Sequence, residues 1–378
     1  MSAVWVIKLG SSLITNHGTV LDHDWIDSIA AQIAARRAQG DAVVVVSSGS
    51  VAAGVARLGL GQRPTDLARL QAAAAVGQPD VMQAWSTAFA KRDAQVAQLL
   101  LSHEEARQRE RYLNMRATLR TLLDLGVIPV VNENDSVATE EIRFGDNDRL
   151  AAMVADLVDA DHLVLLTDQW GLYTANPQTN PAARRITRAL ASDAHLDSMA
   201  GGGGDFGRGG MITKLLAARQ AARSGIDTWI AYGRAAGILA AIARGEAEAT
   251  HLLAGDTARH WTARKRWMGA AMHAAGRYII DAGAAHALQT GNVSLLPVGV
   301  TRVVGEFHRG DLVLCCDERG REIARGLSNY AAADARRICG LRGADISARL
   351  GWPGEVECIH RDNMVVLPST RGAADAAG

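Results

Sequence analysis

Cysteine is scarce in this chain of 378 residues, which has four and no C-x-x-C spacing among them. Cys315 and Cys316 are adjacent, and Cys339 and Cys358 stand alone, so neither a zinc site nor a disulfide framework is indicated. Charge of one sign is lacking too. Forty Lys and Arg cancel forty Asp and Glu, leaving no global field to draw nucleic acid or a membrane surface. No apolar run approaches the roughly 18 residues needed to cross a bilayer. The start, MSAVWVIKLG, has neither a basic stretch nor a cleavable apolar segment and reads as a first strand. These absences point to the cytoplasm. No internal repeat is found. Apolar residues, by contrast, make up 48% of the chain, enough at this length for a sizeable core in two or three domains.

Several familiar catalytic signatures are missing as well. His103-Glu104-Glu105 does not begin a zinc-protease motif, because Arg107 stands where the second histidine is needed. The G-x-x-x-x-G-K-[ST] phosphate loop is absent. Gly202, Gly204 and Gly207 fit G-x-G-x-x-G, but no strand directly precedes them. No Ser/His/Asp arrangement is suggested, and His162 lies in an apolar strand where packing is its simplest role.

What is present is alternation. Val4–Leu9, Val43–Ser47, Gln95–Leu101, Val127–Val131, His162–Thr167 and Thr228–Ala231 read as buried strands. Between them run amphipathic segments: Trp25–Arg37, Leu67–Lys91, Leu113–Leu123, Arg149–Val158 and Ile212–Arg223. This pattern predicts an α/β fold, a mainly parallel sheet sandwiched by helices. The alanine-rich Leu67–Met82 stretch reads as helix packing or a subunit interface. We expect this domain over 1–245, a connector over 246–276, a small mainly-β domain over 277–368, and a disordered tail over 369–378.

In a parallel sheet, ligands bind beyond the carboxyl ends of the strands. The polar clusters fall there. Lys8-Leu9-Gly10-Ser11-Ser12 offers backbone N–H groups and a point charge to an anion, or is an ordinary strand end. Ser47-Ser48-Gly49-Ser50 offers an anion site at a helix start, or a simple cap. Pro129–Leu150 packs Asn132, Glu133, Asn134 and Asp135, then Asp146, Asn147 and Asp148, into two short loops. Such groups are costly to bury without partners, and an amino acid supplies both an ammonium and a carboxylate. The competing reading is a solvated acidic loop. A glycine-rich stretch, Gly201–Gly210, enters a helix whose first turn holds Thr213 and Lys214, suited to closing over phosphates or simply a disordered surface loop.

In order along the chain, VIKLGSS, VVSSGSVAAG, AAAAVGQ, PVVNENDSVAT, FGDNDRLAA, LLTDQWGLYTANP and GGMITKL together resemble the glutamate 5-kinase family of the amino-acid kinase superfamily. The later LLPVGV and RGDLVLCCDERGREIARGLSNY resemble a PUA domain. The resemblance implies transfer of the ATP γ-phosphoryl group, with Mg²⁺, to the side-chain carboxylate of L-glutamate, opening proline biosynthesis. It implies that Lys8 and Lys214 flank the transferring group and that Asp148 organises them. Ser48, Asp135 and Asn147 are then expected to hold glutamate. ATP is expected to meet Lys8, Gly10, Ser11, Thr167 and Asp168, and the loop Arg208, Gly209, Gly210, Met211, Ile212, Thr213 and Lys214. Arg208 stands where the family often has a small hydroxyl residue, and Ser11 replaces a threonine. Also implied are a homo-tetramer or dimer, feedback inhibition by proline, and glutamyl phosphate reductase as a pathway partner.

A glutamate carboxylate is ionised at pH 7, so the nucleophile needs no general base, and positioning with charge neutralisation is what remains to be supplied. Two rival readings stay open. One is another carboxylate kinase, for aspartate or acetylglutamate. The other is an RNA-binding protein, since PUA domains elsewhere bind RNA. From Arg277 onward, however, twelve arginines and no lysines face twelve Asp plus Glu, a neutral balance that does not favour RNA.

Overall fold

A computed structural model describes residues 2–16, 20–102, 109–137, 147–200, 210–255, 274–291, 293–352 and 355–367. The chain forms two compact units, Met1–Ala258 and Arg259–Gly378.

In the first unit the apolar runs become strands β1 (Val4–Leu9), β4 (Ala42–Val46), β5 (Val96–Leu101), β6 (Ile128–Glu133), β7 (His162–Thr167) and β9 (Asp227–Tyr232). Short strands β8 (Arg188–Leu190) and β10 (Ala249–Leu253) complete one sheet, and β2 (Thr15–Asn16) with β3 (Val20–Leu21) forms a separate pair. The sheet order is β5-β6-β4-β1-β7-β9-β10-β8. All neighbours run parallel except β9 and β10. Central strands such as β4 and β7 are buried along nearly their whole length, which is why their sequences are apolar without alternation. Strand β10 lies within the stretch read from sequence as a connector, so 249–253 belongs to the first sheet.

Helices His23–Ala38 and Leu67–Ala90 start where Asp22 and Asp66 accept hydrogen bonds from the backbone N–H groups of Trp25 and Arg69. The core joins Trp5, Ile7, Ile29, Trp85, Phe89 and Leu166. Helix Ser50–Arg57 lies backbone to backbone against Leu67–Ala90. A Cβ on Gly54 would stand 1.7 Å from the Ala73 oxygen, and one on Gly77 would stand 2.0 Å from the Ser50 oxygen. Packing is thus one use of the alanine-rich stretch, and the helix continues through Pro79.

Register sets the site. Lys8, near the end of β1, pairs with Val46 and Leu165 on its two neighbours. The carboxyl ends of β6, β4, β1 and β7 therefore meet in the middle of the sheet. Three local expectations need correcting. Asn132 and Glu133 are the last residues of β6, not loop residues, because β6 pairs with β5 through to Glu133. Asn147 and Asp148 open helix Asn147–Leu157 instead of preceding it. Ser11 and Ser12 begin a single helical turn, Ser11–Ile14.

In the second unit, β11 (Gly276–Ile280), β12 (Val300–Gly305), β13 (Leu312–Cys316), β14 (Glu322–Leu327) and β15 (Met364–Val366) form a sheet ordered β12-β11-β13-β14-β15. Tyr278, Ile280, Val313, Cys315, Tyr330 and Ile338 are in its core. Tyr278 and Ser328 share a 2.7 Å hydroxyl hydrogen bond there. The four cysteines are free thiols, and burial pushes each thiol up, away from the reactive thiolate.

Candidate active site

Asp148 is the centre of the site. It is buried in the first turn of helix Asn147–Leu157. Lys8 reaches it from the end of β1, with Nζ 2.6 Å from Oδ1. Lys214 reaches it from the first turn of helix Met211–Arg223, with Nζ 3.1 Å from Oδ2. The Thr213 hydroxyl donates to the same Oδ2 at 2.8 Å, and Lys214 also donates to the Gly210 carbonyl at 3.1 Å.

Burial alone pushes the Asp148 carboxyl up. The adjoining Lys8 and Lys214 charges and the Thr213 hydroxyl outweigh it and hold the group well below the usual carboxylate range. For Lys214, burial pushes the ammonium down and Lys8 adds repulsion, while Asp148 opposes both. Two buried cations need the carboxylate between them, because removing it leaves like charges facing each other out of water.

A second polar group adjoins this triad. The Asn147 amide nitrogen shares its two N–H groups among three acceptors, the Ser47 carbonyl at 3.0 Å, the Ser48 hydroxyl at 2.8 Å and Asn132 Oδ1 at 3.0 Å. Asn132 in turn donates to Gln78 Oε1 at 2.8 Å. The Ser50 hydroxyl donates to Asp135 Oδ2 at 2.8 Å. The Trp85 indole N–H donates to the Ser47 hydroxyl at 2.9 Å. The amides are satisfied in sequence, as buried polar groups must be. Burial raises the Asp135 carboxyl, and the Ser50 hydrogen bond and the Arg63 charge oppose the rise.

A cleft of about 570 Å³ opens beside the triad, a size suited to a small molecule. Lys8, Gly10, Ser11, Asp148, Thr167, Asp168, Gly210, Met211 and Lys214 reach it. A Cβ at Gly10 would meet only ordinary contacts, the nearest at 3.6 Å, so the fold itself leaves room there and a ligand can approach the backbone closely. The sequence-derived residues thus separate into two groups joined at Asn147 and Asp148. Lys8, Gly10, Ser11, Thr167, Asp168, Gly210, Met211 and Lys214 face the cleft, and Ser48, Asn147 and Asp135 lie on the amide side. Ile212 and Thr213 share the helical turn of Lys214. Arg208, Gly209 and Asp146 lie outside the described residues, as do Gly201–Gly207 and the 369–378 tail.

Sequence reasoning gave Gln78 and Trp85 no task, and placed Asn132 and Ser50 only as members of polar clusters without individual roles. Gln78 carried a signal, standing between Gly77 and Pro79 just after the small-residue run 72–75. No feature of the local sequence marked Trp85 as a partner for Ser47.

The amino acid kinase family model matches residues 3–232, and the PUA domain model matches 276–350. Glutamate 5-kinase of Cupriavidus taiwanensis is 52% identical over 363 residues, covering 96% of this chain and 97% of its own. That of Nitrosospira multiformis is 53% identical over 363 residues, with the same coverage. That of Bordetella parapertussis is 53% identical over 362 residues, covering 96% of this chain and 95% of its own. Two buried lysines converging on one carboxylate beside a nucleotide-sized cleft, and these full-length likenesses, lead to one conclusion: the chain belongs to the amino acid kinase family and, within it, to the glutamate 5-kinases.

Proposed function

We propose that this site transfers the γ-phosphoryl group of ATP to the side-chain carboxylate of L-glutamate, giving L-glutamyl 5-phosphate and ADP. The observation that carries the reading is the pair Lys8 and Lys214 held on the two oxygens of Asp148. The acceptor carboxylate is already an anion at pH 7, so no residue has to remove a proton. The barrier lies in bringing two anions together and in the charge spread over the transferring group. Lys8 and Lys214 supply fixed positive charge there, and burial strengthens it. Asp148 keeps the two ammonium groups together when no phosphate is bound.

ATP occupies the cleft in this reading, with its phosphates against Gly10, Ser11 and the Gly210–Lys214 turn, and with Thr167 and Asp168 alongside; Arg208 and Gly209 precede that turn in sequence. Glutamate lies on the amide side, its ammonium at Asp135 and its carboxylates near Ser48 and Asn147. Among the described residues no three His, Cys, Asp or Glu side chains gather as a metal site. Asp148 is occupied by lysines, which leaves Asp168 as the exposed carboxylate of the cleft. That donor set fits a Mg²⁺ ion that arrives on the phosphates and keeps most of its waters, with Asp168 to hold it. The ion would neutralise phosphate charge.

From the resemblance drawn above, the reading extends to a cytoplasmic homo-oligomer restrained by proline. The acyl phosphate is a labile mixed anhydride, which favours prompt capture by glutamyl phosphate reductase. No helix among the described residues is long and apolar enough to cross a membrane.

The test is a substrate panel of glutamate, aspartate and N-acetylglutamate with ATP, trapping acyl phosphate with hydroxylamine. Glutamyl hydroxamate is the expected main product. Preference for aspartate or N-acetylglutamate would overturn the assignment.

A further inference from the structure

One wall of the cleft beside the triad comes from a single loop. Residues 171–173 and 175–178 line the cleft, and none of them is charged. The root of the loop is a short antiparallel pair. The Ile186 N–H donates to the Leu172 carbonyl at 2.8 Å, the Thr174 N–H donates to the Arg184 carbonyl at 2.9 Å, and Tyr173 bridges Arg185. Thr250, fully buried on β10, fastens this root to the sheet. Its hydroxyl accepts from the Leu172 N–H at 2.8 Å and donates to the Ile186 carbonyl at 2.6 Å, one bond to each limb. Gly171 completes the seat. Its φ of +140° is one that side chains rarely adopt, and a Cβ there would stand 2.5 Å from the Thr250 oxygen.

The phosphates have Lys8 and Lys214, so an uncharged wall suits the nucleoside end of the ligand. Ordering a loose loop on a ligand costs affinity, and a loop already held in shape avoids that cost. Thr250 itself does not line the cleft, so whatever it does for a ligand it does through the loop. Resting on the reading of the cleft as the ATP site, we infer that Thr250 is a positioning residue for the nucleotide. Its hydroxyl holds the 171–178 wall in its binding shape before ATP arrives.

Valine has nearly the shape of threonine but cannot make either bond. Thr250→Val would leave the Leu172 N–H and the Ile186 carbonyl without this partner beside a buried side chain. The bonds cross 78 and 64 positions of chain, from a residue in the stretch that reads as a connector.

The experiment measures binding of the ATP analogue AMP-PNP with Mg²⁺ to the full chain by calorimetry, for wild type, Thr250→Val and Thr250→Ser. Steady-state rates give KM for ATP and for glutamate on the same proteins. Thr250→Val is expected to weaken AMP-PNP and raise the ATP KM on the order of 10-fold, with glutamate KM unchanged. Thr250→Ser keeps the hydroxyl and is expected to stay close to wild type. Unchanged AMP-PNP affinity in Thr250→Val, both KM values rising together, or a serine variant as weak as the valine one overturns the inference. A second measurement needs no variant. Amide hydrogen exchange in nucleotide-free wild type is expected to find the Leu172 N–H as slow as those of the sheet strands. Exchange at the rate of an open loop, slowing only once AMP-PNP is added, would equally overturn it. Wild type that fails to bind AMP-PNP sinks the ATP reading of the cleft instead, while Leu172 exchange still decides whether Thr250 fixes the wall.

Discussion

Lys8 and Lys214, far apart in the chain, are held together by the two oxygens of a single carboxylate, at 2.6 Å and 3.1 Å. Each lysine sits at the start or end of a regular element, so the strand and the helix fix their approach. In the proposed reaction a substrate phosphate needs both at once.

Removing either lysine should therefore strike the chemical step. Lys8→Ala or Lys214→Ala is expected to lower kcat on the order of 10²–10³-fold with a modest change in glutamate KM. Steady-state kinetics decide it, and an effect confined to KM would remove that lysine from the transferring group. Because burial depresses Lys214, its proton leaves at lower pH than an ordinary lysine's 10.5. The alkaline limb of the wild-type kcat profile should accordingly fall below that value.

Asp148→Asn should cost stability as well as rate. It leaves two buried ammonium groups without their counter-ion, a loss of about 3–5 kcal/mol for a broken buried ion pair. Urea denaturation at neutral pH measures it. The native carboxyl lies below its ordinary 3.8, so its contribution is complete above that value and disappears as pH falls through the depressed native one. The gap between wild type and variant should consequently narrow in acid. A constant gap from pH 7 down to pH 3 would contradict the ion-pair account.

Asp135 titrates in the opposite sense. Burial raises its carboxyl above 3.8, so on acidification it loses the charge proposed to hold the substrate ammonium sooner than an exposed aspartate does. Glutamate KM should rise as pH falls through the raised value. Asp135→Asn should start from a higher KM and lack this limb. Identical KM profiles for the two proteins would take Asp135 out of the glutamate site.

Gly54→Ala tests the support beneath Ser50. The new methyl carbon would collide with the Ala73 carbonyl, placing the cost at the upper end of the roughly 1–3 kcal/mol typical of overpacking. Thermal unfolding should register it, together with a higher glutamate KM as helix Ser50–Arg57 shifts. A variant as stable as wild type would show that the two helices are free to separate.

Much of this was legible in the chain. Six apolar runs marked β1, β4, β5, β6, β7 and β9 to within one or two residues, because strands buried on both faces leave few choices of side chain; β5, at the sheet edge, is the exception, apolar in sequence but only partly buried. Strands β8 and β10 were missed, since three and five residues without a clear alternating or continuous apolar pattern do not stand out; they pair in parallel across more than fifty positions of chain. At the site, residue type exposed the lysines and the paired carboxylates and amides. It did not expose Gln78 or Trp85. Their partners, Asn132 and Ser47, lie 54 and 38 positions away, so only the folded sheet brings them together.

The contact between Gly54 and Gly77 sets a limit on change in this protein. What a side chain at either position would strike is main chain, which every amino acid carries alike. Trimming a neighbour cannot make room. A mutational path through this pair therefore has no compensating second step, short of moving a whole helix and with it the Ser50 hydroxyl on Asp135. The substrate side of the site is anchored by two absences of a carbon atom.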